Sequence, residues 1–273
     1  MSLLLRDRIG VELSPQRVTW VRMARGLRSQ VIAKGSENIV PQADAPAWQA
    51  ALSRLRHMML EGEWKNTDVT IVLSNHFVRY DCLPWNEAVK SREEQLALAR
   101  HRLTHVYGAV AQKWVLRISP DGKGAARLIS AVDEALPEML QLAATEAGCH
   151  LLSIHPYLMA SFNRYAKTMA QGDGWFVAAE SGRFALALFR GGKWKHVQLR
   201  SGDDMAALTE WLERENLAIG EQILCREVFL FAPEIEREAS IPAYQLHRLE
   251  LPACHGYSPI SDVQYAIAMS GVA

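Results

Sequence analysis

Two groups of three short β-prone runs, one at the start of the chain and one in its second half, constrain the fold most. The first group occupies residues 8–13, 17–23 and 27–33, and the second occupies residues 175–180, 183–190 and 194–200. Turn-forming sequences separate the runs, among them Ser14-Pro15-Gln16 and Gly191-Gly192. Because short apolar runs joined by such turns favour antiparallel hairpins, each group predicts a three-stranded meander.

A helix and a further strand are predicted after each meander. Apolar side chains at intervals typical of a helical stripe are Trp48, Leu52, Leu55 and Met59 in the first half, and Met205, Leu208, Trp211 and Leu212 in the second. Continuous apolar runs at 69–73 and 228–231 are typical of buried parallel strands. The pattern βββαβ therefore occurs twice, and this pattern is the elementary unit of ribonuclease-H-like folds.

The segment between the two patterns predicts an inserted α+β subdomain. After a strand at 77–83 that belongs to the first core, the insertion contains a helix at 87–107, strands at 113–118 and 126–132, and a helix ending at Gly148. The first helix carries Leu96, Ala99, Leu103 and Val106 on one face, and the second contains Leu136, Met139, Leu140 and Ala143. A strand near 150–154 and another helix follow the insertion.

We therefore expect an α/β protein with two lobes. The first lobe is residues 1–166, with a core at 8–84 and the inserted subdomain at about 87–150. The second, reduced lobe is residues 167–273, and the polar, glycine-rich stretch at 167–174 is the expected hinge.

Charge and composition exclude several classes of protein. Lysine plus arginine and aspartate plus glutamate number 30 each, so the strongly basic balance of a general nucleic-acid binder is absent, although a local basic patch remains compatible with this total. The cysteines are widely spaced without a CxxC pair, which favours reduced thiols over a zinc module. No apolar run approaches the roughly 18 residues of a membrane-spanning helix, and Leu3-Leu4-Leu5 is too short for a signal peptide. These features predict a soluble, cytoplasmic protein.

Sequence patterns of catalysis and metal binding are weak. His101 and His105 lie four residues apart on a predicted helix, but Arg102 stands where a zincin has its glutamate. Cys149-His150 and Cys254-His255 are adjacent pairs, and neighbouring strand residues point to opposite faces of a sheet. Neither GxxxxGK[ST] nor GxSxG occurs, so a P-loop NTPase and an α/β-hydrolase lose support.

Four segments carry a resemblance to a known superfamily. Ile9-Gly10-Val11-Glu12-Leu13-Ser14 is similar to the first phosphate loop of PilM-like proteins, I-G-I-D-[IL]-G, and Val177-Ala178-Ala179-Glu180-Ser181-Gly182 falls where the second loop, V-V-D-I-G, is expected. Val78 to Trp85 resembles the R-x-x-x-L-P strand, and Tyr265 to Gly271 resembles the closing helix A-x-A-x-G-L-A. The chain thus resembles, over nearly its whole length, the actin-like ATPase superfamily and, within it, PilM and the cytoplasmic domain of GspL.

This resemblance implies two degraded phosphate loops. In the superfamily each loop places an aspartate near the nucleotide's Mg²⁺ and a glycine that lets backbone N–H groups approach the phosphates. Glutamate replaces both aspartates here, which moves each carboxylate by roughly 1.5 Å from a metal with strict geometry. The first loop has also lost its glycine and is followed by Pro15, so a phosphate is expected only at the second. The cofactor-binding candidates are Glu12, Ser14, Glu180, Ser181 and Gly182.

The resemblance also implies a function. It indicates a non-catalytic scaffold of a type IV pilus or type II secretion assembly, a pseudo-ATPase without cofactor or metal except for residual ATP/Mg binding. In PilM the cytoplasmic tail of the bitopic inner-membrane protein PilN lies in a groove beside the extra subdomain, as an extended peptide. The implied partners are a PilN-like tail and other assembly-platform proteins, with the protein peripheral at the inner membrane. The partner-binding candidates are Phe77, Val78, Tyr80, Leu83 and Trp85.

Two alternatives remain on the same fold. One is an ATP-dependent phosphotransferase, or another nucleotide-binding actin-like protein, which needs working phosphate loops. The other is a filament-forming homologue similar to FtsA, which binds membrane through a basic amphipathic C-terminal helix. No such helix is evident in the sequence up to Ala273.

Overall fold

The structure is a computed structural model and describes residues 6–26, 30–40, 44–120, 122–169, 172–220, 225–235 and 241–272. Its strands are β1 (Arg8–Leu13), β2 (Arg17–Met23), β3 (Val31–Asn38), β4 (Asp68–Leu73), β5 (Arg79–Leu83), β6 (Trp114–Ile118), β7 (Arg127–Asp133), β8 (His150–Pro156), β9 (Gly174–Glu180), β10 (Arg183–Arg190), β11 (Lys193–Ser201), β12 (Glu227–Phe231) and β13 (Gln245–Arg248). Its α-helices are α1 (Gln49–Glu61), α2 (Arg92–Tyr107), α3 (Ala135–Glu146), α4 (Tyr157–Met169), α5 (Ala206–Ile219) and α6 (Ala266–Ser270).

The first sheet has the order β3-β2-β1-β4-β8. β1, β2 and β3 form the predicted antiparallel meander, and β4 and β8 extend it in parallel. α1 packs on β1 and β2 and lies beside α3. The predicted stripe of Trp48, Leu52, Leu55 and Met59 is buried, and each such side chain contributes about 1.5–3 kcal/mol to stability. The first predicted βββαβ unit is therefore confirmed.

The C-terminal segment completes the first sheet. α6 packs against β1, β2 and β4. A Cβ atom added to Gly10 in β1 would lie 2.2 Å from the Ala268 carbonyl oxygen, so only glycine lets the two backbones approach this closely. The Lys34 ammonium donates to Asp262 Oδ1 at 2.5 Å and fastens this segment to β3.

The second sheet repeats the same order, β11-β10-β9-β12-β13. β9, β10 and β11 form the second antiparallel meander, and β12 and β13 run parallel to β9. Leu208 and Leu212 of α5 pack in one buried cluster with Trp175, Val177 and Ala179 of β9. The duplication predicted from sequence is confirmed, since both halves carry βββαβ followed by one more parallel strand.

A third sheet of three antiparallel strands, in the order β5-β7-β6, packs against α2. Ala99 and Leu103 of α2 reach the core of this sheet. α2 begins at Arg92 and not at residue 87, because a capping box forms its N-terminus. Ser91 Oγ accepts the Glu94 N–H at 3.1 Å, and the Glu94 carboxylate accepts the Ser91 N–H at 3.0 Å.

Contacts within the described chain define two compact units. One comprises Met1–Phe77, Ala135–Arg164 and Glu250–Ala273, and includes the first sheet with α1, α3 and α6. The other comprises Val78–Glu134 and Tyr165–Leu249, and includes the second and third sheets with α2 and α5. The division into lobes at residues 1–166 and 167–273 stays a prediction.

The structure differs from the sequence analysis in three further places. The third strand spans Val31–Asn38 and not 27–33; of the predicted range, residues 27–29 lie outside the described residues. Strand β13 was not predicted at all, because Gln245–Arg248 carries neither an apolar run nor clear alternation. Val106 and Met139, which the sequence groups with the apolar residues of α2 and α3, are 69% and 45% exposed. Among the described residues, no helix is both long and apolar enough to cross a membrane.

Candidate functional site

The first predicted loop lies at the end of β1, and its carboxylate, that of Glu12, is buried. Glu12 is 1% exposed, and it lies opposite Thr19 in the β1–β2 hairpin. Arg17 donates to both carboxylate oxygens, at 3.1 and 3.2 Å, and the Thr19 hydroxyl donates to Oε2 at 2.6 Å. A buried charge requires such pairing, so these bonds hold Glu12 against β2.

The turn after Glu12 also closes on itself. The Ser14 N–H donates to the Arg17 carbonyl at 3.1 Å, the Ser14 hydroxyl donates to the same carbonyl at 3.0 Å, and the Arg17 N–H donates to Ser14 Oγ at 3.2 Å. Pro15 has no N–H. The backbone donors of Ser14 and Arg17, which resemble those that a phosphate loop presents, are therefore committed to the hairpin.

The second predicted loop joins β9 to β10 and keeps its glycine. Gly182 has a φ of +73°, a conformation that glycine adopts without strain. Its N–H donates to Oδ1 of Asp203 in a short hydrogen bond, and its carbonyl accepts the Gly202 N–H at 3.2 Å. A carboxylate of the chain itself thus occupies the donor that a phosphate oxygen would need.

A cavity of about 550 Å³ adjoins the second loop. Its lining includes Ala179, Glu180, Ser181, Asp203, Asp204, Met205, Glu234 and Ile235. Four of these residues are acidic. Because like charges about 4 Å apart repel by about 4 kcal/mol at an effective dielectric constant of about 20, this lining opposes entry of a phosphate.

A cation faces Glu180 from the next strand. Arg183 is the cross-strand partner of Glu180 in the β9–β10 hairpin. Burial lowers the pKa of Arg183, the nearby Arg79 lowers it further, and Glu180 acts in the opposite direction. Both loops therefore place their glutamate opposite a hydrogen-bonding or basic residue of the following strand.

The residues do not fit Mg-ATP. No group of three or more His, Cys, Asp or Glu side chains suited to a metal ion occurs in the described part of the chain, which includes the acidic cavity. The first loop commits its carboxylate to Arg17 and Thr19, and the second commits its glycine N–H to Asp203. Sequence reasoning missed Asp203 and Asp204; their place just before Met205 and α5 was the available signal, because aspartate is favoured at helix starts.

The structure places most partner-binding candidates in the protein interior. Phe77, Val78, Tyr80 and Leu83 are all less than 9% exposed. Trp85 is half-buried and lines a small cavity of about 10 Å³ together with Val89, Leu98 and Arg127, among others. The Arg127 guanidinium lies 5.8 Å from the centre of the Trp85 ring, in cation–π range.

The histidine and cysteine pairs form no site in the described residues. His101 and His105 are exposed on α2, and the Arg102 between them pairs with Asp81 through bonds of 2.6 and 3.0 Å. This hydrogen bond raises the pKa of Arg102. Cys149 is buried, and burial raises the pKa of its thiol.

Comparison with known proteins settles the fold. The sequence matches no family model and no curated protein. Among solved structures, the chain is similar to the PilM–PilN type IV pilus biogenesis complex, with a TM-score of 0.67 and 15% identity over 98% of both chains. It is also similar to a Bacteroides thetaiotaomicron protein with an actin-like ATPase fold, with a TM-score of 0.55 and 9% identity over 82% of this chain and 81% of that one. The chain has the actin-like ATPase fold.

A third structure with this likeness is the cytoplasmic domain of EpsL, an inner-membrane component of the type II secretion system of Vibrio cholerae. Its TM-score is 0.59, with 11% identity over 97% of this chain and 94% of that one. The expected actin-like fold is thereby confirmed over nearly the whole chain.

Proposed function

We propose that this chain is a non-catalytic scaffold of a type IV pilus or type II secretion assembly, and that it binds the cytoplasmic tail of a PilN-like bitopic inner-membrane protein. The observation that carries the proposal is the likeness to a PilM–PilN complex over 98% of both chains. The likeness to the EpsL cytoplasmic domain supports the same kind of role. The protein then acts at the cytoplasmic face of the inner membrane through its partner.

The two loops support the non-catalytic part of the proposal. Phosphoryl transfer on this fold needs a metal ion and backbone donors turned towards the phosphates. Glu12 is held by Arg17 and Thr19, and the Gly182 N–H is held by Asp203. The acidic lining of the 550 Å³ cavity further disfavours a triphosphate.

The partner surface is proposed around Trp85. Four of the five candidate residues are buried, so they shape the surface and do not contact a partner directly. Trp85 and the exposed residues that follow β5 remain accessible. Tryptophan is the residue type whose truncation most often weakens protein interfaces strongly.

Calorimetry with a synthetic peptide of the partner's cytoplasmic tail tests the proposal. We expect binding by the wild-type chain and about 30-fold weaker binding by Trp85→Ala, as for an interface hot spot. Leu217→Ala is the matched control, because Leu217 is 77% exposed on α5 in a different part of the chain. Absence of binding at high micromolar peptide concentration would refute the scaffold role.

Thermal unfolding with Mg-ATP tests the rival nucleotide-binding function. A ligand at 100 times its dissociation constant stabilises the folded state by about 2.7 kcal/mol, which is readily detected as a rise in Tm. We expect no change in Tm at millimolar Mg-ATP. A rise that disappears in Glu180→Ala would favour the phosphotransferase instead.

A further inference from the structure

A basic cavity of about 300 Å³ lies at the start of β1. Three segments line it: the entry to β1, the end of β2 and the turn before β4. The lining residues are Arg6, Asp7, Arg22, Arg25, Lys65, Asn66 and Thr67. Since β1 is six residues long, the cavity lies roughly 17 Å along the strand from the Glu12 loop, and it belongs to neither phosphate loop.

Two guanidinium groups in the cavity are held in place by carboxylates. Arg22 donates through Nε to Asp7 Oδ2 at 3.0 Å, and its second nitrogen lies 2.9 Å from the same oxygen. Arg6 donates to Asn66 Oδ1 at 3.0 Å and lies 3.4 Å from Asp68 Oδ1. These bonds limit the conformations of both side chains, so less freedom is lost when an anion binds.

Two further cations have no such partner. Within the described residues, no carboxylate pairs with the side chain of Arg25 or Lys65, and both residues are exposed. The Arg25 backbone N–H, by contrast, donates to Asp7 Oδ1 at 3.0 Å, which fixes where this residue enters the cavity. Arg22 donates through Nη1 to the Glu63 carbonyl at 2.8 Å, whereas the Glu63 carboxylate lies 4.0 Å from the same nitrogen and is 98% exposed, so solvent screens its charge. The cavity therefore carries more positive than negative charge.

The turn that presents Lys65 is rigid. Its first residue, Trp64, is buried and packs edge-on against Trp20, with 5.7 Å between the ring centres. The Thr67 hydroxyl donates to the Trp64 carbonyl at 2.6 Å, and the Asn66 N–H donates to the Gly148 carbonyl at 2.8 Å. Asn66 has a φ of +59°, a left-handed conformation that asparagine tolerates better than most residues. Lys65 is thus carried by a fixed backbone and not by a loose loop.

We infer that this cavity binds a phosphate group. Arginine forks match the tetrahedral oxygens of phosphate in bidentate pairs, and lysine adds a compact charge. The volume is at the lower limit of small-molecule sites, so it fits a single phosphate-bearing group and not a nucleoside triphosphate. The site is independent of the proposed scaffold role, since none of its residues belongs to the phosphate loops or the Trp85 surface.

The phosphate comes from a small molecule or from an anionic lipid headgroup, and two binding assays distinguish these sources. Calorimetry uses inorganic phosphate at millimolar concentration, with chloride at equal ionic strength as reference. Vesicle co-sedimentation compares phosphatidylglycerol mixed into phosphatidylcholine with phosphatidylcholine alone. Binding in the first assay identifies a soluble ligand, and binding in the second alone identifies the headgroup.

Two matched double variants give the decisive measurement. Arg25→Gln/Lys65→Gln removes the two unpaired cations and should weaken binding by about tenfold or more. Arg117→Gln/Lys123→Gln removes the same charge from exposed positions outside the cavity, and should bind like the wild type. Equal Tm values for the two double variants establish that both fold. If the Tm of Arg25→Gln/Lys65→Gln is lower, the single variant Lys65→Gln replaces it. Failure of the wild type in both assays, or equal weakening in both double variants, overturns the inference.

Discussion

The loop after β1 and the loop after β9 occupy corresponding places in the two sheets, and each ends a strand with glutamate, yet they differ in how the charge is accommodated. Glu12 is buried and bonded to Arg17 and Thr19. Glu180 lines an acidic cavity beside a glycine whose N–H is held by Asp203. The first loop is therefore closed by an internal ion pair, whereas the second remains open but has the wrong charge for phosphate.

This difference gives the proposed non-catalytic role two separate structural grounds. Closing the first loop contributes to folding, because a buried carboxylate without its partners would be strongly unfavourable. In the second loop the Asp203 carboxylate accepts the Gly182 N–H, and the adjacent cavity stays open. We therefore expect changes at the first loop to affect stability most, and changes at the second to affect the cavity more than the fold.

Replacement of Arg17 should have the largest effect. Arg17→Ala leaves Glu12 buried without its ion-pair partner, so the free energy of unfolding should fall by about 3–5 kcal/mol. Urea denaturation measures this, with Arg117→Ala as an exposed control expected within about 0.5 kcal/mol of the wild type. The double variant Glu12→Gln/Arg17→Met should recover most of the loss. If Arg17→Ala proves as stable as the wild type, the first loop is not closed by this ion pair.

Exchange of Gly10 should have the next largest effect, and it tests the strands that carry the loops. The corresponding position in β9 is Ala178, two residues before Glu180 as Gly10 is two before Glu12. Gly10→Ala forces the Ala268 carbonyl away and should cost about 1–3 kcal/mol or more. Ala178→Gly should cost only about 1 kcal/mol, through backbone entropy and lost packing. Equal losses of stability in the two variants would show that the contact between α6 and β1 does not make Gly10 more sensitive than Ala178.

Asp203 should have a smaller effect on stability. Asp203→Ala removes the acceptor of the Gly182 N–H, which is exposed enough to bond with water, so the loss should be about 1 kcal/mol. Asp203→Asn keeps an acceptor oxygen and should lose less. Both are measured by urea denaturation, followed by thermal unfolding with Mg-ATP. An ATP-dependent rise in Tm in Asp203→Ala alone would show that this single carboxylate blocks the second loop.

Lowering the pH should have the smallest effect on stability, and this effect should be confined to the C-terminal segment that covers β1. Burial raises the pKa of Asp262, but the Lys34 ammonium and the Ser258 N–H outweigh it, so the folded-state pKa lies below the ordinary value. This contribution is fully present above the unfolded-state pKa of about 3.9 and is lost as the pH falls through the folded-state pKa.

Thermal unfolding as a function of pH measures this contribution. Asp262→Asn should lower the Tm at neutral pH, and the difference from the wild type should shrink as the solution is acidified. Asp44→Asn at an exposed position serves as the control. A Tm difference that stays constant down to the lowest pH would mean that the carboxylate charge makes no contribution.

The architecture was predictable because its signals are periodic. The stripe of α1 and the runs of β9 to β11 follow the spacing of their elements, so their type and order could be derived. The bounds of β3 could not be derived from sequence, because a glycine such as Gly35 is unfavourable inside a strand. In the structure, the Trp20 ring lies where a side chain at Gly35 would be, with Nε1 2.7 Å from an added Cβ, so the strand continues through this residue.

The candidate site was predictable only in part. The glutamates and the surviving glycine could be located from strand ends, but their bonding depends on contacts between residues distant in sequence. Asp203 lies 21 residues from Gly182 in sequence and reaches it because β11 pairs with β10, which places Ser201 opposite Arg183. The basic cavity likewise combines residues more than 40 apart, such as Arg22 and Lys65, whereas the balanced composition conceals it.

The position of α6 on Gly10 has a consequence for the order in which the protein folds during synthesis. The unit with the first sheet needs residues from both ends of the chain, since α6 comes from Glu250–Ala273. The other unit ends at Leu249. A ribosome adding about 5–20 residues per second therefore releases every residue of the second-sheet unit before α6 emerges. β1 must wait, with Gly10 uncovered, until α6 has been synthesised.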